Sequence, residues 1–344
     1  MKGKPRYIIV AWLLLHSFLG NAQGIQLSQY YNVSPLMNPA FAGTAYSFRA
    51  IANSRIQWNQ LDASFNTYIL AIDYNWQKYN SGLGFYFVHD DQGQGTVERN
   101  EVAAQYVYSL KLSSKAYVRM ALQSSVNQRR IGDEFSFPSQ FNGSGFDPNL
   151  PTVDQGVFET RNYVDFSSGI LLYTEKFWTG LSAMHLNRPD QSLLGEVDRI
   201  DRLFSVIMGY KFVLKEIPTM RYLRSSNIEK ITLTPTFQYK SQGRSDQLDI
   251  GLYGIYSWVM LGTWYRGLPI KDNPGDDFNN ESLIFLVGLR LDQFSISYSF
   301  DNVISGLANI AGGAHEFNLI YQFPRSRKKN RPMKFLPCPT FISG

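Results

Sequence analysis

Cysteine is almost missing from this chain. The single one, Cys338, stands near the end of the 344 residues, so no internal disulfide can form and no cysteine-based metal site can be built. Long apolar runs are missing as well. Only Ile8 to Gly20 is mostly apolar over its length, and it is too short for a membrane-spanning helix. Histidine is scarce. His89, His185 and His315 show none of the close spacings that hold zinc. No Gly-x-Ser-x-Gly, phosphate loop or dinucleotide fingerprint occurs. Asp90 to Gly95 is a weak echo of a calcium loop, without its ligand spacing or closing glutamate, and reads as a polar turn. Ser182 and His185 sit three apart on one strand, hence on opposite faces, and form no hydrolytic pair. These absences exclude the common catalytic chemistries. No catalytic, cofactor-binding or metal-binding residue is expected, and the chain reads as a non-enzyme.

What is present begins with a leader. Lys2, Lys4 and Arg6 precede the apolar run, and Gly20-Asn21-Ala22 supplies the small residues of a signal-peptidase site, so residues 1–22 are expected to be removed. The formal charge of +5 is unevenly placed. The leader holds three bases, and residues 324–344 hold six bases and no acid. The body between them has 24 bases against 28 acids, which argues against nucleic-acid binding.

The dominant pattern has period two. Tyr68, Leu70, Ile72, Tyr74 and Trp76 alternate with Ile69, Ala71, Asp73 and Asn75; Phe204, Val206, Met208, Tyr210 and Phe212 alternate with Ser205, Ile207, Gly209 and Lys211. Stretches of about ten such residues have the length and pattern of tilted transmembrane strands. About fourteen are legible, beginning near Tyr46, Phe65, Gly82, Val97, Ala116, Tyr163, Phe177, Arg202, Lys230, Leu248, Trp258, Ser282, Gln293 and His315. Even-numbered connections are mostly short, such as Leu112 to Lys115, and odd-numbered ones mostly longer, up to Arg129 to Asn162. Connection eight, Glu216 to Glu229, breaks the rule, and the loop after Tyr239 is short for its side. An even strand count with short turns on one side and longer loops on the other describes an antiparallel transmembrane β-barrel, spanning 46–323, with the short turns periplasmic. Trp58, Trp76, Trp178 and Trp258 fall at strand ends, where aromatic girdles sit. A soluble sandwich would also alternate, but its strands are half this length.

The opening of the body reads Gln26-Leu-Ser-Gln-Tyr-Tyr31, then Leu36-Met-Asn-Pro-Ala-Phe-Ala-Gly43. Further pieces follow in order: Asn53 to Trp58, Gly82-Leu-Gly84, Trp178 to Ser182, His185 to Pro189, Leu233 to Thr236 with Lys240, Gly262 to Arg266, Gly313 to Glu316, and Cys338-Pro-Thr-Phe341. This order of motifs resembles the PorP/SprF family of type IX secretion and gliding outer-membrane proteins. Asn32-Val-Ser-Pro35 departs from it, since the family has Asn-Pro directly. The resemblance implies a Bacteroidota outer-membrane barrel that binds, holds or helps export a surface adhesin bearing a type IX C-terminal domain, and that contacts periplasmic components.

Two segments are candidates for partner contact. Residues 23–45 carry Gln29, Tyr30, Tyr31, Asn38, Pro39, Phe41 and Gly43, with turn chemistry at Asn38-Pro39 and Gly43. They read either as a docking segment at the periplasmic end or as a plug that seals the barrel. The basic tail carries Arg325, Arg327, Lys328, Lys329 and Arg331, suited to an acidic periplasmic surface. A porin-like diffusion channel is the alternative, because a fourteen-strand lumen is wide enough to conduct when empty.

Overall fold

The alternating segments form fourteen antiparallel strands in one closed ring. The computed structural model describes residues 24–60, 64–93, 96–131, 141–142, 145–146, 160–193, 197–218, 228–268, 279–291, 293–304 and 312–324. The strands are β1 (Phe48–Gln57), β2 (Phe65–Trp76), β3 (Ser81–Gln92), β4 (Val97–Lys111), β5 (Tyr117–Ile131), β6 (Arg161–Tyr173) and β7 (Phe177–Met184). They continue as β8 (Leu203–Tyr210 and Phe212–Pro218), β9 (Ile228–Gln242), β10 (Ser245–Tyr256), β11 (Val259–Leu268), β12 (Asn279–Arg290), β13 (Phe294–Val303) and β14 (Ala314–Gln322). Each pairs with its sequence neighbours, and β14 returns to β1 from Ala314↔Gln57 to Gln322↔Arg49. Closure pairs the backbone groups that an open edge would leave bare in hydrocarbon.

The two halves of β8 belong to one strand. Gly209↔Thr236 and Phe212↔Leu233 lie in the same register against β9. Between them Tyr210 faces Pro235, which has no N–H to give, and this accounts for the interruption. Below Tyr210, where β7 has ended, β8 and β9 run on as a two-stranded arm to Pro218↔Ile228. The two ends of the eighth connection, to Pro218 and from Ile228, are therefore strand.

Alternation sorts side chains between lipid and lumen. On β5, Met120, Leu122 and Val126 face out, while Arg119, Gln123, Ser125 and Asn127 face in and are buried. The expected lipid-facing phase holds on β2, β4, β8 and β13. Two details differ from the sequence reading. Trp76 and Trp258 are exposed at the short-turn end, but Trp178 points inward and is 2% exposed, its ring filling the space above Gly209. Asp90 is not in a turn; it belongs to β3, faces the lumen and accepts from Thr67 Oγ1 at 2.7 Å.

Candidate functional site within the lumen

The lumen is occupied by the chain's own residues 24–45. Gly24, Ile25 and Gln26 lie at the long-loop mouth, beside Gln57, Trp58 and Gln92 on one side and Gln242 and Ser245 on the other. From there the segment descends through a four-residue helix α1 (Ser34–Met37) and a 3-10 turn (Pro39–Phe41) to reach β1 at the short-turn end. Leu27 to Ala45 are all buried. The segment thus crosses the whole barrel instead of staying at the end where β1 starts.

Near the mouth the contacts are charged. Arg55 pairs with Asp301 at 3.0 Å and Glu316 at 3.3 Å; Arg266 pairs with Asp249 at 2.7 Å and Asp301 at 3.3 Å. Three carboxylates against two guanidiniums leave one negative charge in excess. The segment supplies donors for it. The Ser28 and Gln29 backbone N–H groups donate to the two oxygens of Glu316 at 2.7 and 3.2 Å, and Ser28 Oγ donates to Asp301 at 2.6 Å. In return Arg266 Nη2 donates to Leu27 O at 2.7 Å. A buried ionic group is tolerable when its remaining lone pairs find donors, and here two of those donors are backbone N–H groups of the segment.

The middle is aromatic. The Tyr31 ring stacks on Trp264 at 4.9 Å and on Tyr253 at 5.5 Å. Tyr30 donates to Thr236 Oγ1, which also accepts from Trp264 Nε1 at 2.9 Å. Gln29 and Asn32 bond to each other and to Ser297 and Ser299 on β13.

Toward the short turns the contacts are close, and the charged groups are fewer: the Arg49–Asp73 pair, and Arg119 donating to Ala42 O at 2.6 Å. Asn38 Nδ2 donates to Ile170 O at 3.2 Å and Leu181 O at 3.0 Å, while its Oδ1 accepts from the Ala40 N–H at 2.9 Å. The side chain fits because the wall behind it is Gly169 and Gly180; a Cβ on either would strike it. Pro39 opens the 3-10 turn, and Phe41 is fully buried with its carbonyl accepting from Thr44. Gly43 adopts φ +70, and a Cβ there would meet Tyr74 O at 2.7 Å. Its N–H donates to Asp73, which pairs with Arg49 at 2.6 Å.

The structure thus brings Gln29, Tyr30, Tyr31, Asn38, Pro39, Phe41 and Gly43 together inside the lumen, each against the wall. Arg325, Arg327, Lys328, Lys329 and Arg331 lie outside the described residues. Sequence reasoning did not single out the wall partners Asn53, Arg55, Asp73, Gly169, Asp301 and Glu316. A signal for them existed: charged residues on the inward phase of a strand need a partner in the lumen. Several also sit in the motifs that carried the resemblance, among them Arg55, Gly82, Thr236, Arg266 and Glu316. Of the histidines, His185 contacts Asp165 at 2.7 Å and His89 contacts Asn100 at 2.8 Å. Among the described residues no group of three potential ligands could hold a metal ion.

A closed antiparallel barrel with lipid-facing apolar side chains and an occupied lumen defines an outer-membrane β-barrel protein. The family model of the type IX secretion system membrane protein PorP/SprF matches residues 19–321, and the chain belongs to that family. No curated protein matches it. Among solved structures it is similar to the TodX monoaromatic hydrocarbon channel deltaS2 mutant, at 10% identity and a TM-score of 0.44, covering 84% of this chain and 93% of that one. The CymD monoaromatic hydrocarbon channel gives 10% identity and 0.41, covering 89% and 95%. BamA from Haemophilus ducreyi lacking POTRA domains 1-3 gives 10% and 0.40, covering 80% and 70%. Likenesses this distant carry no functional argument.

Proposed function

We propose that this barrel is a sealed outer-membrane component of the type IX secretion or gliding apparatus. It holds, or helps export, a partner surface protein and contacts the periplasmic components of that apparatus. The observation that supports a sealed scaffold is the lumen segment, bonded from Leu27 to Gly43 to strands on all sides. A diffusion channel needs an open lumen, whereas here the chain's own backbone satisfies the charges of the wall. Partner contact then falls to the rims and to the tail, with Gln29, Tyr30, Tyr31, Asn38, Pro39, Phe41 and Gly43 acting as the seal. The long-loop rim faces outside and the short turns face the periplasm, as in other outer-membrane barrels.

Two measurements test this. Purified full-length barrel in planar bilayers is expected to stay closed, and deletion of residues 24–43 to open it; steady conductance of the intact protein would replace the scaffold with the porin-like channel. Removal of residues 325–344 should leave heat-modifiable migration intact while weakening surface display of the partner. Undiminished display would end the tail-docking reading. Orientation is checked separately, with Cys338 replaced and cysteine placed at Ser114 or Ser144. An impermeant reagent on whole cells should label only the second.

A further inference from the structure

The rim formed by the short turns carries lysines that its acids do not match. Lys78 is on the β2–β3 turn, Lys111 and Lys115 flank the β4–β5 turn, Lys176 is on the β6–β7 turn and Lys215 is on the β8 arm. All five are exposed. Lys111, Lys115, Lys176 and Lys215 have no ion pair among the described residues, and Lys78 lies over the Tyr79 ring at 5.0 Å. The exposed acids on these turns and this arm are Glu175 and Glu216, and Glu216 is held by Lys230 at 3.0 Å. On the opposite rim three arginines are held in ion pairs. Arg130 pairs with Glu98 and Arg188 with Asp201, each at 2.8 Å, and Arg161 pairs with Asp190.

We propose that this arc of lysines binds the phosphate headgroups of anionic phospholipids in the leaflet that the short turns meet. Depth is the first argument. Exposed Trp76, Tyr108, Leu110 and Tyr210 mark the edge of the hydrocarbon. Lys78, Lys111, Lys115 and Lys215 each follow one of these by one to five positions. At about 3.3 Å per residue, the ammonium groups reach the headgroup zone, which adds about 5–7 Å per leaflet to the hydrocarbon core. Interleaving is the second. Leu112 between Lys111 and Lys115 is 62% exposed, and Leu214 beside Lys215 is 63% exposed. Exposed leucines among lysines suit a lipid interface, where stems lie along the tails and heads meet phosphates, better than an aqueous protein-docking rim. The lysines themselves lie on the β2–β8 side: Ser257 and Trp258 on the β10–β11 turn bring none, and across the rim the cation is Arg290 at the end of β12. That the leaflet is the periplasmic one rests on the orientation proposed above; the binding itself does not.

The test uses full-length protein in symmetric nanodiscs of phosphatidylcholine with phosphatidylglycerol. Native mass spectrometry counts the phosphatidylglycerol retained. The variant K111Q/K115Q/K176Q/K215Q, checked for folding by heat-modifiable migration, should lose retention on the order of tenfold. A matched variant of the long-loop rim, R130Q/R161Q/R188Q, should keep it. Unchanged retention in the lysine variant, or equal loss in both, overturns the proposal. So does enrichment of lipid A in place of phosphatidylglycerol in mixed discs. Absence of lipid retention together with lysine-dependent capture on poly-glutamate resin would assign the arc to an acidic protein and likewise overturn it. Should the fourfold variant not fold, K115Q alone must still lower retention.

Discussion

The lumen segment is held by a network of five charged side chains at its long-loop end and mainly by close fit at its short-turn end, and the wall behind each end is built accordingly. Around Ser28 and Gln29 the wall presents Arg55, Arg266, Asp249, Asp301 and Glu316; the segment donates N–H groups to Glu316 and the Ser28 hydroxyl to Asp301. Around Asn38 the wall recedes to glycine and the bonds to strand carbonyls are neutral, while Gly43 and Ala42 meet one ion pair, Arg49–Asp73, and Arg119. Buried charge fixes an orientation because its partners are costly to strand; close packing fixes a position because nothing else fits. One end sets register and the other sets depth.

The charged end should be the easier to break. Glu316→Ala removes the acceptor of Ser28, Gln29, Asn53 and Arg55 together. It is expected to cost about 3–5 kcal/mol of unfolding free energy, measured by denaturant titration in detergent or lipid. A loss under about 1 kcal/mol would mean that the network contributes no stability. A control on the outer face calibrates this figure. Leu122→Arg on β5 should cost about 2–4 kcal/mol at bilayer depth. From the sequence, arginine at the inward Thr234 should be mild by comparison. The filled lumen reverses that expectation, since Thr234 is fully buried and next to the aromatic layer, so Thr234→Arg should cost no less than Leu122→Arg.

The fitted end sharpens the comparison through a cycle. Gly169→Ala should cost about 1–3 kcal/mol by pushing on Asn38. Asn38→Ala should cost about 1–3 kcal/mol by leaving the Ala40 N–H unpaired. The double variant should cost less than the sum, because the second change vacates the space that the first invades. Strict additivity would show that the two groups do not compete for it. The smallest effect is expected between the ends. Tyr30→Phe should cost about 1 kcal/mol, through the single bond to Thr236.

Much of the wall was legible in the sequence. Every strand begins within three residues of its expected start, because alternation reports which face a residue takes and the long apolar phase reports membrane depth. Alternation says nothing about what faces the lumen from across it. Trp178 was misplaced for that reason: position at a strand end suggested a girdle, while Gly209 opposite made room for the ring inside. The course of residues 24–45 was hidden in the same way. Its anchors lie far off along the chain, Ser28 meeting Glu316 at a separation of 288 residues and Tyr30 meeting Thr236 at 206. No local pattern carries such pairings. Only the inward phase of Arg55, Asp73 and Glu316 hinted that something would come to meet them.

The contact between Ser28 and Glu316 joins the part of the body made first to the strand made last. Until β13 and β14 exist, Arg55 and Arg266 lack Asp301 and Glu316, and the early segment has nothing to cap. A chain cut short anywhere before Glu316 cannot satisfy its own interior, however well its earlier strands pair. The lumen is therefore the place where the two ends of the barrel's chain complete each other's charges.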